Sequence, residues 1–161
     1  MADPVHCIER TQFVPLPVGE VFGFFADAFN LEAITPPWLH FRILTQRPVV
    51  MREGTLIDYR LSLHRVPWRW RSRIDAWEPG RRFVDTQVRG PFRLWEHLHT
   101  FEERPGGTQI GDLVRYRMPY RQLGACAHSA LIGRDLERIF DYRSEVVGRL
   151  LVARSTGLKR A

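Results

Sequence analysis

A chain of 161 residues has the length of one domain and can bury roughly 68–70% of the surface its unfolded form exposes. Hydrophobic residues make up 44% and charged residues 26%, a globular balance that excludes disordered and fibrous classes. The net charge is +6, and all but one of the 24 basic residues are arginine, the exception being Lys159, so no Schiff-base, phosphate-loop or serine–lysine chemistry can sit in the body of the chain.

The first segment, Val5–Val14, reads as a strand that stops at Pro15-Leu16-Pro17. From Pro17 to Ala28 the period changes. Val21, Phe24, Phe25 and Ala28 recur at three- and four-residue spacing, which predicts a helix with proline in its first turn. A shorter helix over Asn30–Ile34 ends at Thr35-Pro36-Pro37, because a residue before proline is pushed out of helical geometry. Six strands follow, near Phe41–Thr45, Thr55–Leu63, Pro67–Trp77, Arg82–Val88, Phe92–Phe101 and Thr108–Met118. The turns between them are marked by Arg52-Glu53-Gly54, His64–Val66, Pro79-Gly80, Gly90-Pro91 and Pro105–Gly107. Short loops between consecutive strands predict hairpins and an antiparallel sheet. A long helix from Cys126 to Val152 carries Ile132, Leu136, Ile139, Phe140, Val147, Leu150 and Leu151 on one stripe, with arginine and glutamate expected on the opposite side. This order predicts an α+β fold, one domain over residues 1–153 with a polar tail over 154–161.

Period two sorts the strand residues into faces. Tyr59, Leu61 and Leu63 share one face, as do Trp68, Trp70, Ser72 and Ile74. So do Phe83, Asp85 and Gln87; Trp95, His97, His99 and Phe101; and Ile110, Asp112, Val114, Tyr116 and Met118. These sets are expected to face the long helix, with Arg69, Arg71 and Arg73 facing water beside Asp58, Asp75 and Glu96. The Gly90-Pro91 turn predicts that Asp85 lies opposite His97, and the Pro105–Gly107 turn that His97 lies opposite Asp112. Opposed side chains sit about 4.5–5.5 Å apart at Cβ, so His97 is expected between two carboxylates on an aromatic face.

The element order, with Leu16-Pro17, Glu20-Val21-Phe22, Asn30-Leu31, Thr35-Pro36, Trp77-Glu78-Pro79, Arg82-Phe83 and Gly107-Thr108, resembles the START/polyketide-cyclase (SRPBCC) superfamily. Gly90-Pro91-Phe92, Trp95-Glu96-His97 and Ile139-Phe140-Asp141-Tyr142-Arg143 are similar to an uncharacterised bacterial cyclase/dehydrase-like branch of it. The resemblance spans Cys7–Leu151 and implies a helix-grip fold: a curved sheet of about seven strands around the C-terminal helix, with a cavity between. It does not imply one activity, because members carry lipids, cyclise polyketides or serve as accessory domains.

Aromatic walls with a few convergent polar groups are how small-molecule pockets are built. The expected lining is Tyr59, Trp70, Phe83, Asp85, Gln87, Trp95, His97, His99, Asp112 and Tyr116. The leading expectation is binding of a hydrophobic, partly polar molecule, polyketide-, lipid- or aromatic-like. One alternative is a cyclase or dehydratase in which His97 is the acid or base, with Asp85 or Asp112 orienting it. Another is an accessory interaction domain with a filled core and a protein partner. His97-x-His99 with Asp85 or Asp112 has the donor types of a divalent metal site. No third histidine converges on it, however, since His64 falls in a turn and His128 near the helix start; neither a metal nor another cofactor is expected. Cys7 and Cys126 lack CxxC spacing, so neither a disulfide framework nor a cysteine-rich zinc site is expected. The mixed charges on the arginine face argue against nucleic acid. No apolar run reaches the ~18 residues of a membrane span, and residues 1–10 lack the pattern of a secretory signal; the expected location is the cytoplasm.

Overall fold

Proline punctuation and side-chain alternation set the order of elements. The computed structural model describes the backbone of residues 4–117 and 125–158 and the side chains of 4–117, 131–154 and Thr156. Met118 and the side chains of Cys126 and His128 lie outside the described residues. In β1 (His6–Val14), Ile8 and Val14 are buried while Glu9 and Phe13 face outwards. Helix α1 (Val18–Ala26) buries Val21, Phe22, Phe24 and Phe25. The Asn30 side chain, at the start of α2 (Asn30–Ile34), donates a 2.7 Å hydrogen bond to the Phe24 carbonyl, satisfying a group that the end of α1 leaves unpaired.

Strand β2 (Arg42–Ile43) is shorter than the expected Phe41–Thr45. The chain leaves the ladder there, because the N–H groups of Leu44 and Thr45 both turn onto the Asp58 carbonyl. The remaining strands are β3 (Leu56–Leu63), β4 (Val66–Glu78), β5 (Arg82–Arg89), β6 (Leu94–Arg104) and β7 (Gly107–Arg117). They form one antiparallel sheet in the order β1-β7-β6-β5-β4-β3-β2. Helix α3 (Ala125–Leu158) crosses it, running through Arg154–Leu158 where a polar tail was expected.

Register follows the turns. Asp85 lies opposite His97, as the Gly90-Pro91 turn predicts. In the next hairpin, however, His97 faces Val114 and His99 faces Asp112. The loop there is the two residues Pro105-Gly106, closed between Arg104 and Gly107, with Gly106 at φ +83°. A Pro-Gly turn with positive φ at glycine sets this register, two residues away from the sequence expectation. An even slip preserves the face, so Asp112 still points inwards.

Bulges bend β4. Its pairing with β5 shifts between Arg71 and Ser72 and again between Ile74 and Ala76. The second shift carries Trp77 onto the inner face, where it packs 5.4 Å from the Phe83 ring, although strict period two would group it with the outer arginines. Bulges of this kind increase local twist and curve the sheet.

Two apolar clusters make up the interior. Val146, Val147 and Leu151 of α3 join Val14, Phe22 and Ile110 at one end. At the other end Leu136 and Phe140 join Ile8, Trp70, Trp95 and Val114. The β3–β4 hairpin turns through His64 and Arg65 at φ 50° and 66°, and His64 Nε2 reaches Asp135 Oδ2 of α3 at 2.6 Å. That contact ties the hairpin tip to the helix.

Candidate functional site

Between the inner face of β3–β6 and the helices lies a cavity of ≈ 330 Å³. This overturns the completely filled core that an accessory module would have. Most of its wall is aromatic or aliphatic. Tyr59 and Trp70 stack at 5.8 Å and 17°, and Trp70 meets Trp95 edge-on at 5.1 Å. Ser72 Oγ accepts a 3.1 Å hydrogen bond from Trp70 Nε1 and lies 3.1 Å from the Tyr59 hydroxyl. Burial raises the Tyr59 pKa well above its ordinary value, so this phenol stays neutral.

The polar part of the site is a compact cluster. The rings of His97 and His99, two residues apart on β6, lie 3.7 Å apart at their centroids. Asp112 Oδ1, from β7, sits 2.7 Å from His97 Nε2 and 3.2 Å from His99 Nδ1. Asp85 Oδ2, from β5, sits 2.9 Å from His99 Nε2 and 3.7 Å from His97 Nδ1. Two imidazoles are thus clamped between two carboxylates. Arg143 of α3 completes the set, with Nη2 at 3.5 Å from His99 Nδ1 and 3.8 Å from Asp112 Oδ1. Phe83 stacks on His99 at 4.1 Å and Phe140 meets the His97 ring at 5.3 Å, so apolar rings hold the imidazoles in place.

Burial and charge act against each other here. Burial, then the neighbouring His99, push the His97 pKa down to about 4 against the partial pull of Asp112 and Asp85. Burial alone would raise both carboxyls. For Asp112 that is overcome by Arg143 and by hydrogen bonds from both histidines, which hold it well below its ordinary value. For Asp85 the hydrogen bond from His99 and the charges around it lower it.

These shifts give a pH dependence of known sign. His97 takes up a proton near 6.5 in the unfolded chain but only near 4 in the folded one. Its contribution to stability is therefore complete above pH 6.5 and lost as pH falls through that window. The expected loss is roughly 2–3 kcal/mol at about pH 4.5, and the two carboxylates add to it below their ordinary value of 3.8. Urea unfolding at a series of pH values checks this; equal stability at neutral pH and at about pH 4.5 would show that His97 is not held neutral.

Of the residues expected in the lining, Tyr59, Trp70, Phe83, Asp85, Trp95, His97 and His99 do line the cavity. Gln87 does not. Its amide donates to the Phe92 carbonyl at 2.6 Å and accepts from the Phe92 N–H, fixing the approach to β6. Asp112 lies behind the histidines, and Tyr116 is buried against His6, Phe92 and Trp95. Arg143 was missed as a site residue. It sits at the inner position of the stripe Leu136–Phe140–Arg143–Val147, and a guanidinium at an apolar position was the legible signal. On the outer face Arg71 and Arg115 pair across strands with Asp58 and Glu96, and Arg73 pairs along β4 with Asp75.

The cavity and its sheet-and-helix frame now have a family. Residues 14–144 match the sequence profile described as "Polyketide cyclase / dehydrase and lipid transport". The chain belongs to this family. Among solved structures it is similar to the Zhui aromatase/cyclase from Streptomyces sp. R1128, with a TM-score of 0.77 at 17% identity over 94% of this chain and 96% of that one. It is also similar to the protein TTHA0849 from Thermus thermophilus, with a TM-score of 0.74 at 14% identity over 93% and 99% of the two chains. The di-domain aromatase/cyclase StfQ of the steffimycin biosynthetic pathway gives 0.74 at 15% identity, over 94% of this chain and 52% of that one. No curated protein sequence matches the chain. Likeness at this identity shows the helix-grip fold and not a shared reaction. Among the described residues no helix is long and apolar enough to cross a membrane.

Proposed function

We propose that this polyketide-cyclase family member binds a hydrophobic, partly polar small molecule, polyketide-, lipid- or aromatic-like, between the sheet and α3. The observation that carries this reading is the cavity itself, ≈ 330 Å³ with aromatic walls and one polar cluster. Small-molecule sites begin at about 300 Å³ and use few polar groups to orient the ligand. Arg143 Nε is buried and has no hydrogen-bond partner among the described residues. A buried donor without a partner costs about 1–3 kcal/mol, and an acceptor oxygen on the ligand would satisfy it. The ligand therefore lies with its apolar body against Trp70 and Trp95 and a carbonyl or carboxylate toward Arg143.

Acid–base turnover by His97 is the weaker reading. An efficient general base has a pKa near the working pH, whereas His97 is pushed down to about 4. The test uses 1-anilinonaphthalene-8-sulfonate, an apolar ring system with an acceptor group. One equivalent is expected to quench tryptophan emission. Ile139→Trp, which fills the cavity, is expected to weaken binding at least tenfold, a loss of about 1.4 kcal/mol. No binding by the wild type, or equal binding by the filled variant, would overturn the proposal.

A further inference from the structure

The cluster sorts its imidazole nitrogens into two sets. Asp112 takes His97 Nε2 and His99 Nδ1, at 2.7 and 3.2 Å. The other two nitrogens, His97 Nδ1 and His99 Nε2, lie 3.7 and 2.9 Å from Asp85 Oδ2. One ligand atom from each of Asp85, His97 and His99 can be chosen so that all lie within 4.8 Å of one another. Nitrogen and oxygen donors bound at about 2.0–2.2 Å to one ion stand roughly 3–3.5 Å apart, so the side chains need only small shifts to share one.

Two further features separate this cluster from a simple hydrogen-bonded patch. Metal-binding histidines present their second nitrogen to a carboxylate, which fixes ring orientation; Asp112 occupies that position for both rings at once. Asp85, His97 and His99 also line the cavity, while Asp112 does not. The donor side faces the open space and the orienting carboxylate stands behind it.

We propose that Asp85, His97 and His99 form a binding site for one divalent transition-metal ion of the zinc or iron(II) kind, with Asp112 as its positioning residue. Imidazole and carboxylate donors suit these ions, and three protein ligands leave at least one position open. That position faces the cavity, where the acceptor oxygen of a bound molecule can complete the coordination. A search of the sequence for a third histidine passes over this site; Asp85 on β5 supplies the third donor instead. The inference stands on the cluster alone and does not require the ligand reading above.

Cobalt(II) is the probe, because its visible d–d absorption reports nitrogen and oxygen ligation directly. Metal-stripped full-length protein is expected to bind one equivalent of Co²⁺ and to release it to Zn²⁺. Asp85→Asn and His99→Gln are each expected to weaken binding at least tenfold, and Asp112→Asn by about tenfold, as loss of an orienting carboxylate does. Circular dichroism confirms that each variant is folded. For a variant that does not fold, the wild-type Co²⁺ form is read by paramagnetic proton NMR, with two hyperfine-shifted imidazole N–H resonances expected. No Co²⁺ absorption, absorption undiminished in folded Asp85→Asn and His99→Gln, or no shifted imidazole resonances would each overturn the proposal. Failure to bind the naphthalene probe with the cobalt spectrum intact would sink only the ligand reading.

Discussion

Replacing Arg143 with leucine is expected to destabilise the protein by about 3–5 kcal/mol, the range for removing one partner of a buried ion pair. Both side chains are nearly closed to solvent, at 11% exposure for Arg143 and 9% for Asp112. The guanidinium is the strongest of the influences that lower the Asp112 pKa. Without it, burial raises that carboxyl, so acid unfolding of Arg143→Leu is expected to begin at higher pH than in the wild type. Arg143 also lies 5.7 Å from the Phe25 ring, and that contact is lost as well. Adding Asp112→Asn to Arg143→Leu is expected to recover part of the stability, because the uncompensated charge is then gone. Urea unfolding of the two singles and the double measures this. A cost below about 1 kcal/mol for Arg143→Leu would place the pair in the class of exposed ion pairs.

Phe83→Ala is expected to cost about 3–5 kcal/mol, the usual range for truncating a buried phenylalanine. The ring is 5% exposed and joins the two halves of the interior. It packs on Trp77, Phe22 and Phe101 within the first apolar cluster, and it stacks on His99 at the cavity. Its loss both leaves a void and frees an imidazole that the cluster needs in one orientation. Phe83→Leu keeps most of the volume and is expected to cost less, though it also lacks the flat face against His99. A cost for Phe83→Ala under about 1.5 kcal/mol would mean that the surrounding wall collapses into the gap.

Much of this protein was legible residue by residue. Alternation in β6 placed Trp95, His97, His99 and Phe101 on the buried face, and all four are buried. The stripe on α3 was legible for the same reason, since side-chain direction along a regular element is set by backbone geometry alone. What escaped were the places where geometry is irregular. The tight Pro105-Gly106 turn, closed between Arg104 and Gly107, put Asp112 opposite His99 and not opposite His97. A bulge turned Trp77 inwards, and the Gln87 amide was diverted to the backbone of Phe92. None of these changes the hydrophobic pattern enough to be read from spacing.

Arg143 marks the boundary most clearly. The arginines of α3 were expected opposite its apolar stripe, yet Arg143 is nearly closed to solvent; the two aspartates and two histidines were read on inward faces. Composition and period thus decided by themselves the α+β order, the antiparallel sheet and the polar residues that would be forced inside. Only the tertiary structure decided that these groups meet. His97 and His99 on β6, Asp85 on β5, Asp112 on β7 and Arg143 on α3 come within hydrogen-bonding or ion-pair distance. They do so because the sheet curves and the helix lies across it. Strand pairing is a local rule that turns can encode, whereas the gap between a bent sheet and a helix depends on every bulge and side-chain volume at once.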